Sequence, residues 1–124
     1  MDAPVSQKVI HAGKMRNVLS ERLAREVRGD VLFSRGDRGR YATDASIYQV
    51  DPIGVLVPET FDDVRVAVDM CRDLRVPLVA RGAGTSQCGQ TVGEALVLDN
   101  SKYLNQLVEL DVAGMTATVE PGIV

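Results

Sequence analysis

Apolar and polar positions alternate along the chain in a way that predicts an N-terminal helix followed by a small α/β unit. Leu19, Leu23 and Val27 recur every four residues among charged neighbours, which is typical of an amphipathic helix over residues 16–28. Residues 1–15 show no such period and are expected to form a loose arm. Residues 31–40 are expected to be an extended piece that runs into a loop and links to the domain proper. We therefore divide the chain into an arm and helix, residues 1–40, and a domain, residues 41–124.

A β-α-β unit is predicted between residues 53 and 80. Residues 53–57 form a short apolar run between two prolines, as in a buried strand. Thr60 and Asp63 then have the spacing of a capping box at the start of a helix. The apolar face of that helix is predicted to carry Val64, Ala67, Val68, Cys71 and Leu74. Residues 76–80 form the second strand, which a right-handed crossover would place parallel to the first.

The remaining apolar segments predict a third strand and a hairpin. Residues 95–99 are predicted to be a third buried strand, and residues 101–105 a turn or a single helical turn. Residues 107–111 and 116–120 alternate in polarity around Gly114, which indicates an antiparallel hairpin. The predicted fold class is therefore α+β, with a small parallel sheet, a hairpin and a preceding helix. The apolar segment after residue 120 would leave an open sheet edge, through which self-association is possible.

Composition and charge narrow the classes of partner. A net charge of -3 and a pI near 5.1 offer no broad positive field, so a nucleic acid partner is not expected. The sequence has no secretory signal pattern and no apolar run long enough to span a membrane. Two cysteines without a histidine or cysteine at ligand spacing predict neither a disulfide framework nor a metal site. A cytoplasmic location is the expectation.

The candidate chemistry lies in a polar loop, residues 81–93, which contains four glycines and follows an apolar strand. Glycine allows a ligand to approach the backbone closely, so this density predicts main-chain N–H groups turned toward an anion. The hydroxyls of Thr85 and Ser86 and the guanidinium of Arg81 are groups that bind phosphate oxygens well. The loop is therefore predicted to cradle the phosphates of a cofactor.

Two common glycine patterns do not account for this loop. A dinucleotide fingerprint beginning at Gly82 would need a third glycine where Gln87 stands, and no helical pattern follows. A nucleoside-triphosphate loop beginning at Gly84 would need a lysine where Gln90 stands.

The loop and its flanks instead resemble the FAD-binding domain of the vanillyl-alcohol oxidase / p-cresol methylhydroxylase flavoproteins, especially their FAD-linked 2-hydroxyacid dehydrogenases. The resemblance covers residues 41–124, as the first part of an incomplete FAD-binding domain. Its most specific part is Arg-Gly-Ala-Gly-Thr-Ser at residues 81–86, followed by Gly-Gln at 89–90, Val-Gly at 92–93, Val-Leu-Asp at 97–99 and Val-Glu-Pro-Gly at 119–122.

This resemblance implies a cofactor and a set of binding residues. The FAD pyrophosphate would lie against Arg81, Gly82, Ala83, Gly84, Thr85 and Ser86, with Gly89 and Gln90 closing the far side. Relatives that attach FAD covalently through this loop have histidine where Thr85 stands, so FAD is expected to be non-covalent. Residues 41–46 resemble the segment through which the chain approaches the cofactor domain, and Asp44 with Ser46 could equally form a simple turn.

The resemblance also implies an activity. The chain would be the N-terminal, FAD-binding portion of a flavin-dependent oxidoreductase that oxidises a small 2-hydroxyacid such as D-lactate or glycolate. The catalytic groups of this family lie in later segments, so no catalytic residue is predicted here. The alternative is a catalytically inert fragment, or a protein-interaction module, that does not hold FAD on its own.

Two side chains near the loop have competing interpretations. Arg81 could pair with a carboxylate such as Asp99 or Asp44 instead of, or as well as, binding phosphate. Cys88 could be a thiol activated beside phosphate, but the favoured interpretation is a small, partly buried filler.

Overall fold

A four-stranded mixed sheet and a separate two-stranded hairpin make up the β structure. The computed structural model describes residues 5–124, with side-chain surroundings from Ala12 onward. The elements are α1 Val5–Glu26, β1 Asp30–Leu32, α2 Arg35–Arg40, β2 Gly54–Val57, α3 Phe61–Leu74, β3 Leu78–Arg81, β4 Leu96–Asp99, β5 Leu107–Asp111 and β6 Thr116–Val119. No helix among these residues is long and apolar enough to cross a bilayer.

The strand order of the larger sheet is β1-β2-β4-β3. Strands β2 and β3 both pair parallel to β4, whereas β1 pairs antiparallel to β2. The predicted β-α-β unit is therefore present as β2-α3-β3, with β4 inserted between its two strands. Strands β5 and β6 form the predicted antiparallel hairpin. The predicted α+β class is confirmed, and self-association through an open edge stays a prediction.

The core lies between the sheet and helices α1 and α3. Leu19 and Leu23 of α1, each fully buried, contact the same cluster as Met70 and Cys71 of α3 and Leu96 of β4. Burial raises the pKa of the Cys71 thiol to about 11, so the thiol is protonated at neutral pH. Cys71 is thus the small core residue that its position on the helix face predicts.

Helix α3 begins and ends much as predicted, but its buried face is rotated slightly. The Thr60 side chain accepts a hydrogen bond from the Asp63 N–H at 3.3 Å, which caps the helix. Val68 was placed on the buried face by its spacing, and this is wrong, because its side chain is 47% exposed. Met70 is buried instead, at 2% exposure. Successive residues turn by about 100°, which puts Val68 at the margin of the stripe centred on Ala67.

Asp63 also ties helix α3 to the segment between α1 and β1. Its carboxylate is 3% exposed and accepts hydrogen bonds from three backbone N–H groups. The donors are Arg28 at 3.0 Å, Gly29 at 2.9 Å and Glu59 at 2.9 Å. This residue therefore fastens the end of α1 as well as the start of α3.

The N-terminal forty residues depart from the prediction in two places. Helix α1 begins at Val5, so the loose arm predicted for residues 1–15 is wrong from that residue on, and residues 1–4 lie outside the described part. Met15 packs against the core cluster, and an established helix extends at little cost. The segment predicted as a linker supplies strand β1 to the sheet and helix α2. The division at residue 40 stays a prediction.

Helix α2 forms where glycines predicted a loop, because its first turn is capped. The Ser34 hydroxyl oxygen accepts from the Asp37 N–H at 3.1 Å and donates to the Asp37 carboxylate at 2.6 Å. Arg40 then lies within 2.6 Å of the same carboxylate. The Ser34 side chain thus satisfies one of the free N–H groups at the start of the helix.

Candidate functional site

The loop of residues 81–93 leaves the sheet at the carboxyl ends of its parallel strands. Arg81, the last residue of β3, is paired in register with Asp99, the last residue of β4. Ligands of open parallel sheets gather outside this edge. The fold thus places the predicted cradle where such sites are usually found.

The backbone of the loop presents N–H groups that the protein itself does not use. Gly84 and Gly89 have φ angles of 70° and 78°, a region that favours glycine. Among the residues that the structure describes, the N–H groups of residues 82–87 donate to no protein acceptor, whereas the Cys88 N–H donates to the Ser86 hydroxyl oxygen at 3.3 Å. These free amides at a sheet edge meet the requirement for an anion cradle.

Arg81 braces the first half of the loop against the segment that follows α2. Its Nη1 donates to the Thr43 carbonyl at 2.9 Å, and its guanidinium carbon lies 5.2 Å from the centre of the Tyr41 ring. A Cβ built on Gly84 would lie 2.9 Å from the Arg81 Cζ, so glycine makes room for this guanidinium. The Ala45 N–H donates to the Gly84 carbonyl at 3.1 Å. The loop and the segment of residues 41–45 are therefore joined directly.

The ion pair considered for Arg81 is not formed within the described residues, because each candidate carboxylate has other partners. The buried Asp99 accepts from the Tyr41 hydroxyl at 2.6 Å, and from the Ser101 N–H and hydroxyl at 2.9 Å and 2.6 Å. Burial, followed by the hydrogen bond to the Asp99 carboxylate, raises the pKa of Tyr41 to about 12. Tyr41 is therefore a neutral donor that holds Asp99 beneath the loop.

Asp44 connects the same segment to the far end of the loop. It accepts from the Ser46 N–H at 2.8 Å, which confirms the predicted turn, and from the Thr91 hydroxyl at 2.9 Å. The hydrogen bonds from Ser46, and then that from Thr91, hold the pKa of Asp44 below its usual range. Asp44 is therefore ionised at neutral pH and serves as an acceptor in the frame of the loop.

The side chains predicted to bind phosphate differ in their hydrogen bonds and in their exposure. The Ser86 hydroxyl donates to the Gln90 Oε1, so the structure brings these two predicted residues together. Ala83 and Thr85 are exposed. Cys88 is also exposed, so the prediction that it is partly buried is wrong.

The turn after β6 closes the site from the side. The Ile123 N–H donates to the Glu120 carbonyl at 3.2 Å, so residues 120–123 form a turn. The Gly122 N–H donates to the Leu104 carbonyl at 2.7 Å. A Cβ built on Gly82 would lie 3.8 Å from the Pro121 carbonyl oxygen, so this turn borders the start of the loop.

Sequence reasoning named Asp99 as a candidate partner of Arg81 but missed the contacts that support the loop. Tyr41 and Asp99 are 58 positions apart, and Thr43 acts through its backbone carbonyl. The available signal was a carboxylate directly after the buried apolar run of β4, where an unpaired charge would be costly. The identity of its donor depends on the tertiary fold.

Comparison with known proteins agrees with this architecture. The FAD binding domain family matches residues 52–124, more than half of the chain. The glycolate oxidase subunit GlcD of Bacillus subtilis is 37% identical over 105 residues, covering 80% of this chain and 22% of that protein. D-2-hydroxyglutarate dehydrogenase of Escherichia coli is 30% identical over 111 residues, covering 87% of this chain and 11% of that protein. The chain thus spans less than a quarter of either relative.

A solved structure supports the fold. The crystal structure of p-cresol methylhydroxylase with substrate bound superposes with a TM-score of 0.59 at 17% identity, covering 98% of this chain and 23% of that one. The resemblance predicted from the loop is confirmed by these matches. The chain belongs to the FAD-binding domain family of flavin-dependent oxidoreductases.

Proposed function

We propose that the pyrophosphate of FAD lies against the loop of residues 81–93. The residues that would hold it are Arg81, Gly82, Ala83, Gly84, Thr85, Ser86, Gly89 and Gln90. The observation that carries this proposal is the run of N–H groups at residues 82–87 without a protein acceptor, displayed at the carboxyl edge of the sheet. A diphosphate supplies the negative oxygens that such amides bind.

The residues of this chain bind and orient the cofactor in distinct ways. Backbone amides contact the diphosphate, while Arg81 keeps the loop in shape through Thr43 and places its remaining N–H donors nearby. Thr85 has no nucleophilic ring nitrogen, so we propose no covalent link to FAD at this position. When bound, FAD supplies two-electron redox chemistry that the protein's own side chains lack.

We further propose that this cradle serves the oxidation of a small 2-hydroxyacid. The support is that the relatives named above are a glycolate oxidase subunit and a D-2-hydroxyglutarate dehydrogenase. Glycolate, D-lactate and D-2-hydroxyglutarate share a hydroxyl on the carbon next to a carboxylate. Residues 1–124 alone are expected to be catalytically silent, because in the flavoproteins that this chain resembles the catalytic groups lie in later segments. Oxidation of any of these acids by residues 1–124 alone would contradict this expectation.

The test is a titration of the chain with FAD, followed by flavin fluorescence, in the wild type and in Gly84→Val. A side chain at Gly84 is strained by the φ of 70° and would displace the Arg81 guanidinium. We expect weak binding by the wild type and a dissociation constant raised about tenfold or more in the variant. Gly39→Val is the matched control, because a Cβ there meets nothing within 4 Å.

The outcomes separate the proposal from its alternative. Binding that Gly84→Val weakens and Gly39→Val leaves unchanged supports the cradle. Absence of binding, or binding indifferent to Gly84→Val, supports the alternative of a fragment or interaction module that does not hold FAD on its own.

A further inference from the structure

Tyr48 is an exposed aromatic side chain that lies against the loop of residues 81–93. A Cβ built on Gly89 would lie 2.6 Å from the Tyr48 Cδ2 and 3.3 Å from its Cε2 and Cγ, so the ring lies directly on the backbone of this glycine. More than half of the residue, 54%, is nevertheless exposed to solvent. An aromatic ring that is supported on one side and open on the other can pack against a second ring.

The turn that precedes Tyr48 fixes its position. The Tyr48 N–H donates to the Ser46 hydroxyl oxygen at 3.1 Å, and the Ser46 N–H donates to the Asp44 carboxylate at 2.8 Å. The same carboxylate accepts a hydrogen bond from the Thr91 hydroxyl at 2.9 Å. The backbone of Tyr48 is therefore held by its own turn, and this turn is bonded to the glycine loop.

The Tyr48 hydroxyl contributes nothing to this placement. It has no hydrogen-bond partner among the residues that the structure describes, whereas the hydroxyls of Tyr41 and Tyr103 donate to carboxylates at 2.6 Å and 3.3 Å. The ring is therefore the part of the Tyr48 side chain that the protein positions.

Tyr48 borders the place proposed for the FAD diphosphate. The N–H groups of residues 82–87 have no acceptor in the described part of the protein, and Gly89 follows the last of them by two residues. Two residues span at most about 7 Å. In FAD, each phosphate carries a planar aromatic ring system through a short sugar or sugar-alcohol chain, with adenine on one side and the flavin on the other. A ring attached to a diphosphate at these amides would lie close to Tyr48.

We propose that Tyr48 is a further FAD-binding residue, an assignment that rests on the function proposed above. The exposed part of its ring stacks on one of the two aromatic ring systems of FAD, the adenine or the flavin. Such stacking requires a planar π face, which both ring systems have. Gly89 then has a second role, because its lack of a side chain leaves room for the Tyr48 ring.

The first experiment is a titration with FAD, followed by flavin fluorescence, in the wild type and two variants. Tyr48→Leu keeps an apolar side chain but has no π face, and we expect it to raise the FAD dissociation constant about fivefold. Tyr48→Phe keeps the ring and should stay within about twofold of the wild type, because the hydroxyl has no partner to lose. Binding that Tyr48→Leu leaves unchanged would overturn the proposal.

The matched control is Phe61→Leu, which makes the same kind of change at another exposed aromatic residue. Phe61 is 57% exposed and lies at the start of α3, outside the glycine loop and the turn before Tyr48. We expect its FAD dissociation constant to equal that of the wild type. Equal weakening in Phe61→Leu and Tyr48→Leu would show a general loss of exposed aromatic surface and refute the contact.

The second experiment uses the wild-type chain and shows which ring of FAD is in contact. The chain has three tyrosines, so the ring protons of Tyr48 can be assigned by comparison with Tyr48→Phe. Nuclear Overhauser effects from these protons to the adenine protons would assign the contact to adenine, and effects to the flavin methyl protons would assign it to the flavin. If FAD binds and neither effect is seen, the proposal is wrong, whatever the variants do.

Failure of this proposal can be distinguished from failure of the FAD cradle. If Gly84→Val weakens FAD binding and Tyr48→Leu does not, the cradle stands and the ring contact is wrong. If the wild type shows no saturable FAD binding, both are wrong. Far-UV circular dichroism should be the same for Tyr48→Leu and the wild type, because the substituted side chain is exposed.

Discussion

The carboxylate of Asp63 offers the sharpest test of how this fold is held together. It is buried, and it accepts hydrogen bonds from the N–H groups of Arg28, Gly29 and Glu59 at 2.9–3.0 Å. The substitution Asp63→Asn keeps the shape and removes the charge. Its amide oxygen can keep the two bonds to Gly29 and Glu59, but its NH₂ group then faces the N–H of Arg28.

The expected loss follows from those three contacts. The donor of Arg28 loses its acceptor, at a cost of about 1 kcal/mol because that residue is exposed enough to reach water. The other two hydrogen bonds change from charge-assisted to neutral, and each change lowers the stability by about 1 kcal/mol. We therefore expect Asp63→Asn to lower the free energy of unfolding by about 3 kcal/mol and the Tm by roughly 10 °C.

The loss should depend on pH with a definite sign. Burial alone would raise the pKa of Asp63, but the backbone donors of Arg28, Glu59 and Gly29 outweigh it and hold the pKa below its usual range. The folded state therefore binds this proton less tightly than the unfolded chain. The stabilisation is present above about pH 4 and is lost as the pH falls through the folded pKa.

Urea unfolding followed by far-UV circular dichroism, from pH 7 to pH 3, measures both effects. Asp62→Asn is the control, because Asp62 is the exposed neighbour in the same helical turn, and it should cost less than about 1 kcal/mol. The reasoning is refuted if Asp63→Asn and Asp62→Asn are equally stable, or if the difference between them does not shrink below pH 4.

Two further predictions concern packing and the support of the loop. Gly54→Ala should cost about 1–3 kcal/mol in thermal unfolding, because its Cβ would lie 2.6 Å from the Phe33 Cδ1, whereas Gly39→Ala meets open space and should not destabilise. Tyr41→Phe removes the 2.6 Å bond to Asp99 and should cost about 1–2 kcal/mol in urea unfolding at pH 8. Because the pKa of Tyr41 is raised to about 12, its contribution should be complete below about pH 10 and decline at higher pH; a difference that grows with pH would contradict this.

The regular elements of the domain were predictable because their signals are local. Thr60 and Asp63 mark the start of α3 by capping chemistry, and the four-residue apolar runs of β2 and β4 are buried throughout. The turning of the chain in the glycine loop was predictable for the same reason, since Gly84 and Gly89 adopt φ angles above zero that favour glycine. Its role as a phosphate cradle stays a prediction.

The parts that were missed depend on contacts between distant segments. No local signal indicates that β4 lies between β2 and β3, because strand order is decided by how the helices cover the sheet. Helix α2 was missed because Gly36 and Gly39 outweighed the capping by Ser34 in a local reading. Arg81 was expected to meet a carboxylate or phosphate, and its contact with the Thr43 carbonyl is visible only in the folded chain.

The attachment of residues 41–45 to the glycine loop limits how the shape of that loop can change. Hydrogen bonds join Thr43 to Arg81, Ala45 to Gly84 and Asp44 to Thr91. Both ends of the loop are therefore bonded to a stretch some 38 to 47 positions earlier in the chain. A single residue inserted in that stretch would move the donors and acceptors of these hydrogen bonds out of register with the loop. Lengthening or shortening the chain there would change the shape of the glycine loop as much as substituting its glycines would.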